Sequence, residues 1–239
     1  MKNEEMQNCP NNPAYSENKI EIDCVIFNFE DDSLKVMLAK QQDDLGNTIW
    51  GLANDWIKEN ETISGTARNI LKKYIKIDDF FLEQLKAFGY RSPESQHEDI
   101  AIAYYALVKR EKCITEEEEK KSNPDVMWIG INEISDLNAK HKVILDYSLQ
   151  ELRKNICNSA IGFNLLPEKF TLLQVIHLYQ EILGIEVNKS NFRRKILQTG
   201  MIQGLSEKEE AVSHRAAKFY SLNIPKQEMF ANRKFDFNF

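Results

Sequence analysis

The chain has 239 residues, 42% hydrophobic and 28% charged, an ordinary globular composition for one large or two modest domains, and its formal net charge is −6. That charge is uneven: residues 1–158 hold 20 Lys and Arg against 29 Asp and Glu, whereas residues 159–239 hold 11 against 8, so only the second part tolerates a polyanion. No run approaches the ~18–20 apolar residues of a membrane span, and no signal-like apolar segment follows Met1, so no membrane partner and a cytoplasmic location are expected.

Residues 1–18 are polar, contain Pro10 and Pro13, and read as a flexible arm. From Ile20 to Phe29 the pattern is that of a strand, and a turn at Asp31-Asp32-Ser33 leads into a second strand from Leu34 to Gln41. Cys24, inside the first strand, reads as a buried thiol. A polar loop, 43-DDLGNT-48, precedes the short apolar stretch 49-IWGL-52. The spacing of Ala67, Ile70, Leu71 and Tyr74 predicts a helix from about Thr62 to Ile75. Strands are expected at 80–90, 100–109 and 126–131, with the acidic run Glu116–Glu119 as a solvated loop. A mixed sheet with a helix after its second or third strand is an α+β arrangement. The four cysteines form no CxxC pair and the four histidines stand singly, so neither a metal site nor a cofactor is expected.

From Lys140 to Asn158 the sequence predicts a long amphipathic helix with Val143, Ile144, Tyr147, Leu149 and Leu152 as its apolar residues. Thr171 and Gln174 then form a capping box that opens the helix 172-LLQVIHLYQEIL-183, which Gly184 ends as a left-handed cap. A second helix, 189-KSNFRRKILQT-199, starts after Asn188 and ends at Gly200. A strand, a charged loop and another strand follow over 201–222. Helix, helix and hairpin is the layout of a winged helix.

In the second helix Phe192, Ile196 and Leu197 form an inward stripe. Lys189, Ser190, Asn191, Arg193, Arg194, Lys195 and Gln198 are left for solvent or a partner. A recognition helix needs this division, because Arg, Lys, Asn and Gln reach phosphates and base edges. A lone Arg-Arg-Lys run reads more readily as a solvated basic face. The hairpin behind it, carrying His214, Arg215 and Lys218 beside Ala216 and Ala217, favours double-stranded DNA, since small residues allow close approach to a sugar-phosphate backbone.

The stretches 170-FTLLQVIHLYQEILG-184, 191-NFRRKILQTGMI-202 and 215-RAAKFY-220 resemble the C-terminal domain of Nudix-related transcriptional regulators. Upstream, 82-LEQLKAFGY-90 and 104-YYALV-108 are similar to a segment of the same family. The resemblance implies a Nudix-like sensor over 19–158, with 140–158 as its linking helix, and a winged helix-turn-helix domain over 159–239. It also implies a homodimer on pseudo-palindromic operator DNA. Family effectors include ADP-ribose and, in one branch, free pentoses such as arabinose.

A working Nudix box holds divalent ions with paired glutamates on one helix turn. Here Asn54 and Asp55 stand where its glycines belong, Glu61 keeps the first acidic position, and Asn69 and Ile70 replace the arginine and the next glutamate. Lys73 and Tyr74 take the metal-binding carboxylate positions. The expectation is a regulator without catalysis rather than a residual hydrolase. Few arginines in this part also leave a diphosphate little to neutralise it, which favours a monosaccharide, and so carbohydrate utilisation, over an ADP-ribose response tied to NAD metabolism. The residues expected to contact the effector are Asn54, Asp55 and Trp56, with Lys40, Glu98, Tyr104 and Trp128 behind them. Lys40 reads equally as a strand-end lysine, and Tyr104 more readily as core.

Overall fold

The computed structural model describes residues 20–42, 46–75, 80–91, 98–109, 123–208 and 216–223; the N-terminal arm, the run Glu116–Glu119, His214 and Arg215 lie outside them. Strands β1 (Ile20–Glu30) and β2 (Ser33–Gln42) form a hairpin whose turn residues Asp31 and Asp32 have φ of 51° and 57°. Aspartate tolerates this left-handed region, and two such residues in succession match the twist of a tight hairpin. Next come β3 (Thr48–Gly51) and β4 (Ala53–Trp56), then α1 (Ile63–Tyr74). The first helix therefore follows the fourth strand, later than its expected place. The chain splits at Leu52, so that β3 pairs with β2 while β4 crosses to pair with β1.

β5 (Phe81–Tyr90), β6 (Asp99–Leu107) and β7 (Val126–Gly130) complete the sheet. Its main path is β3-β2-β1-β6-β5, with β1 and β6 parallel and β7 antiparallel to β2. Both faces of the centre are covered, which is why β1 and β2 read as nearly continuous apolar runs. Ile22, Cys24, Ile26 and Met37 pack with Ala67, Ile70 and Leu71 of α1. Val25, Phe27, Val36 and Leu38 face the other way.

That second face receives α2 (Ala139–Asn158), whose N-cap Asn138 accepts a hydrogen bond from His141 N–H. Its buried stripe runs His141, Ile144, Leu145, Ser148, Leu152, Ile156. Val143, expected within the stripe, is 57% exposed, because it lies about 100° round the helix from Ile144. Tyr147 flanks the stripe half-buried, edge-on to Phe88 at 5.7 Å.

A 3-10 turn, Ile161–Leu165, leads to β8 (Phe170–Thr171), α3 (Leu172–Leu183), α4 (Lys189–Gln198), β9 (Ile202–Lys208) and β10 (Lys218–Leu222). The three strands form a small sheet ordered β8-β10-β9. The Thr171–Gln174 capping box, Gly184 at φ 67° and the Asn188 cap all form. One apolar core joins this part to the sheet: Phe163, Phe170, Tyr179 and Ile182 share it with Phe27, Leu34, Val36 and Leu152. Polar ties reinforce the join. Glu181 accepts from Leu34 N–H at 3.3 Å, and Arg153 Nε and Tyr179 Oη donate to the carbonyls of Ile182 and Ile156 at 2.8 and 3.2 Å.

Candidate nucleic-acid interface and effector site

α4 is anchored by Phe192 and Ile196, both buried, with the Phe192 ring 5.0 Å from that of Tyr179. Leu197, expected on the same stripe, is 46% exposed; one residue beyond Ile196, it is turned away from the core. Lys189, Ser190, Asn191, Arg193 and Arg194 are exposed, and Lys195 is half-buried. Asn191 Oδ1 accepts from Arg194 Nη2 at 2.9 Å, so the two side chains stand as a pair on the outer surface. In the hairpin, Ala216 and Ala217 are half-buried and Lys218 is exposed. The Lys218 ammonium lies 5.7 Å from the Tyr220 ring centre, and a Cβ on Gly204 would meet it at 2.5 Å, so the glycine leaves room for the lysine to cross the hairpin.

The side chains expected around an effector come from several strands and from both faces of the sheet. Asn54 accepts from Gln41 Nε2 at 2.9 Å and donates to Glu21. Asp55 points to the opposite face of β4 by alternation and pairs with Lys58 at 3.4 Å. Trp56 is 40% exposed. Lys40 lies at the end of β2, 3.7 Å from Asp125. Glu98 is exposed beside Gly89. Tyr104 and Trp128 pack on the α1 side of the sheet, where the buried Tyr104 hydroxyl donates to Gln84 at 2.8 Å and burial raises its pKa. The structure thus groups Asn54 with neighbours other than those expected.

On α1, the Nudix metal positions carry exposed Lys73, with its ammonium 4.9 Å from the Tyr74 ring centre, and half-buried Tyr74. The Glu61 carboxylate is held by Thr66 Oγ1 at 2.8 Å and Asn69 Nδ2 at 3.3 Å.

Beneath Asn54 lies a polar cluster that sequence reasoning missed. Glu21 and Asp23 of β1 share a face and are 6% and 0% exposed. Lys140 Nζ lies 2.6 Å from Glu21 and 3.2 Å from Asp23; Tyr90 Oη donates to Glu21 at 2.5 Å. The Lys140 ammonium also sits 4.6 Å from the Tyr90 ring centre. His141 Nδ1 faces two donors, Leu52 N–H at 3.3 Å and Asn138 Nδ2 at 3.0 Å, so the ring proton sits on Nε2, 3.2 Å from Asp23. Burial and the Glu21 hydrogen bond push the Tyr90 pKa well up. Two acidic residues alternating with apolar ones in the first half of β1 were the signal the sequence held.

Residues 162–222 match the family model described as the NrtR DNA-binding winged helix domain. The chain is 22% identical over 222 residues to an ADPR responsive transcriptional repressor from Acinetobacter baylyi, covering 91% of this chain and 84% of that protein. The crystal structure of Shewanella oneidensis NrtR complexed with a 27mer DNA superposes with a TM-score of 0.76 at 24% identity, over 89% of this chain and 95% of that one. A MutT/nudix family protein from Enterococcus faecalis gives a TM-score of 0.68 at 17% identity, over 88% and 90% of the two chains. This chain therefore joins a Nudix-like fold to a C-terminal domain that matches the NrtR DNA-binding winged helix.

Proposed function

We propose that this protein is a transcriptional repressor that binds operator DNA through α4 and the β9–β10 hairpin, and whose grip on DNA responds to ADP-ribose. The observation that carries the reading is the division of α4: Phe192 and Ile196 anchor it, leaving Lys189, Ser190, Asn191, Arg193 and Arg194 exposed behind an NrtR-type domain match. Lys195 and Lys218 lie at the margins of that surface, and His214 and Arg215 belong to the same wing by sequence. Two copies on a pseudo-palindromic site would place their α4 helices about 34 Å apart or a multiple of it. The Nudix-like part senses rather than hydrolyses, because Lys73 and Tyr74 replace metal-binding carboxylates.

The monosaccharide expected from sequence is corrected here, and with it arabinose sensing. The relative matched over 91% of this chain is described as responsive to ADPR. The hydrogen bonds of Asn54 go to Gln41 and Glu21 rather than to Lys40, Glu98, Tyr104 or Trp128, the further contacts expected from sequence. Counting arginines also left out the lysines of α1: beside Arg68, exposed Lys72 and Lys73 offer a diphosphate positive charge without a metal. Asn54, Asp55 and Trp56 stay as effector contacts, with Trp56 as a face for a base or ribose.

An anisotropy titration against a duplex selected by the protein from random 30-base-pair DNA tests both parts. Nanomolar binding that weakens with ADP-ribose and ignores arabinose supports the reading. Absence of duplex binding, or release by arabinose alone, overturns it.

A further inference from the structure

We propose that the buried junction of Glu21 and Asp23 with Lys140 and His141 is the relay by which the β3–β4 segment sets the position of α2, and through it the winged helix. This rests on the effector reading above and adds its route.

Asp23 has no exposed surface, and no donor is aligned on either of its carboxylate oxygens as a hydrogen bond; its compensation comes from the Lys140 ammonium and the His141 Nε2–H, each at 3.2 Å. Both partners belong to α2. A buried carboxylate is tolerated only when paired, so α2 cannot shift its first turn without leaving charge uncompensated inside the protein. A contact of this kind is made or broken and does not stretch, which is what a two-state element requires.

The same two α2 residues hold the β3–β4 segment. His141 takes the Leu52 N–H, and a Cβ on Gly51 would meet its ring at 2.8 Å, so the imidazole lies directly on the strand break. Glu21, bound to Lys140, is also bound by Asn54. An effector that recruits the Asn54 amide must therefore compete with Glu21 and Gln41 for it, and the loss is felt by Lys140. The far end of α2 is fixed to α3 by the Arg153–Ile182 and Tyr179–Ile156 hydrogen bonds, and Tyr179 packs on Phe192 of α4. An unbroken series of contacts joins the β4 residues standing for the Nudix glycines to the anchor of the DNA-facing helix.

The test uses full-length Asp23→Asn, which keeps the side-chain shape and leaves Lys140 paired with Glu21, beside Lys140→Met. Operator affinity is measured with and without ADP-ribose, effector binding by calorimetry, and backbone protection by hydrogen–deuterium exchange without effector. Asp23→Asn should bind the selected duplex and ADP-ribose within twofold of the unsubstituted protein, while the ADP-ribose effect on duplex affinity falls at least fivefold. Lys140→Met should speed exchange in residues 48–56 and 172–198 as well as in the first turns of α2. An unchanged ADP-ribose effect in Asp23→Asn overturns the relay. Absence of any ADP-ribose effect in the unsubstituted protein overturns the effector reading instead, and the exchange pattern then decides the relay: faster exchange confined to residues 139–145 overturns it, and spread into both distant segments supports it.

Discussion

Arg194 and Phe192, two positions apart on α4, separate recognition from stability. The Arg194 guanidinium is exposed and held by Asn191, so Arg194→Ala should leave the melting temperature nearly unchanged. Its operator affinity should fall by about 1–3 kcal/mol if it reads a guanine, with a loss confined to specific sites. A uniform loss with a shallower salt dependence marks a phosphate contact. Anisotropy titrations at several salt concentrations separate the two, and an unchanged affinity would refute the interface. Phe192 is 1% exposed against Tyr179, and Phe192→Ala should cost about 3–5 kcal/mol in thermal unfolding. Alkaline titration reads a third set of residues. Burial raises the pKa of Tyr105 and Tyr179, and for Tyr105 the Glu83 hydrogen bond adds to the rise. The fold favours the neutral phenols, so their contribution is complete below about pH 10 and is lost as pH climbs beyond it. Phenolate absorbance and circular dichroism should change together; ionisation of these residues in a fully folded protein would refute the assignment.

At the scale of elements, the helix caps are the features most exposed to single substitutions. Asn138→Ala removes the acceptor for His141 N–H and should cost about 1 kcal/mol in denaturant unfolding. Asn138 also faces His141 Nδ1, so the same change should loosen the α2 end seated on Asp23. A loss under about 0.3 kcal/mol would mean the cap contributes little. The sequence displayed such local features well. The Thr171–Gln174 box, Gly184 and Asn188 act within four residues of themselves, and the elements they bound lie where the sequence placed them. The 49-IWGL-52 stretch was less legible, because its break into β3 and β4 depends on two different partner strands. Val143 and Leu197 show the limit of helical periodicity, since an apolar residue beside the stripe is indistinguishable from one within it until the packing surface is known. The Glu21–Asp23–Lys140–His141 junction was hidden for another reason: its members lie about 120 residues apart, and charged residues in a sequence ordinarily read as surface.

Across the whole molecule, the winged helix does not hang from a free linker. Its α3 reaches β2 directly, through Glu181 to Leu34 N–H and through His177 Nδ1, 2.9 Å from Asp32 at the hairpin tip. A core continuous across the two parts should unfold as a unit, so calorimetry is expected to give a single transition with equal calorimetric and van't Hoff enthalpies. Two separated transitions would show that the join is weaker than its burial suggests. One of the two end strands of the main path, β5, has a further consequence for assembly. Its pairing with β6 shifts register between Gln84 and Ala87, and exposed Lys86 at the irregularity folds its ammonium to within 4.8 and 4.0 Å of the Phe88 and Tyr147 ring centres. A kinked border carrying a cation is a poor template for another strand. Copies of this protein are therefore expected not to pair through β5, which is guarded against edge-to-edge aggregation.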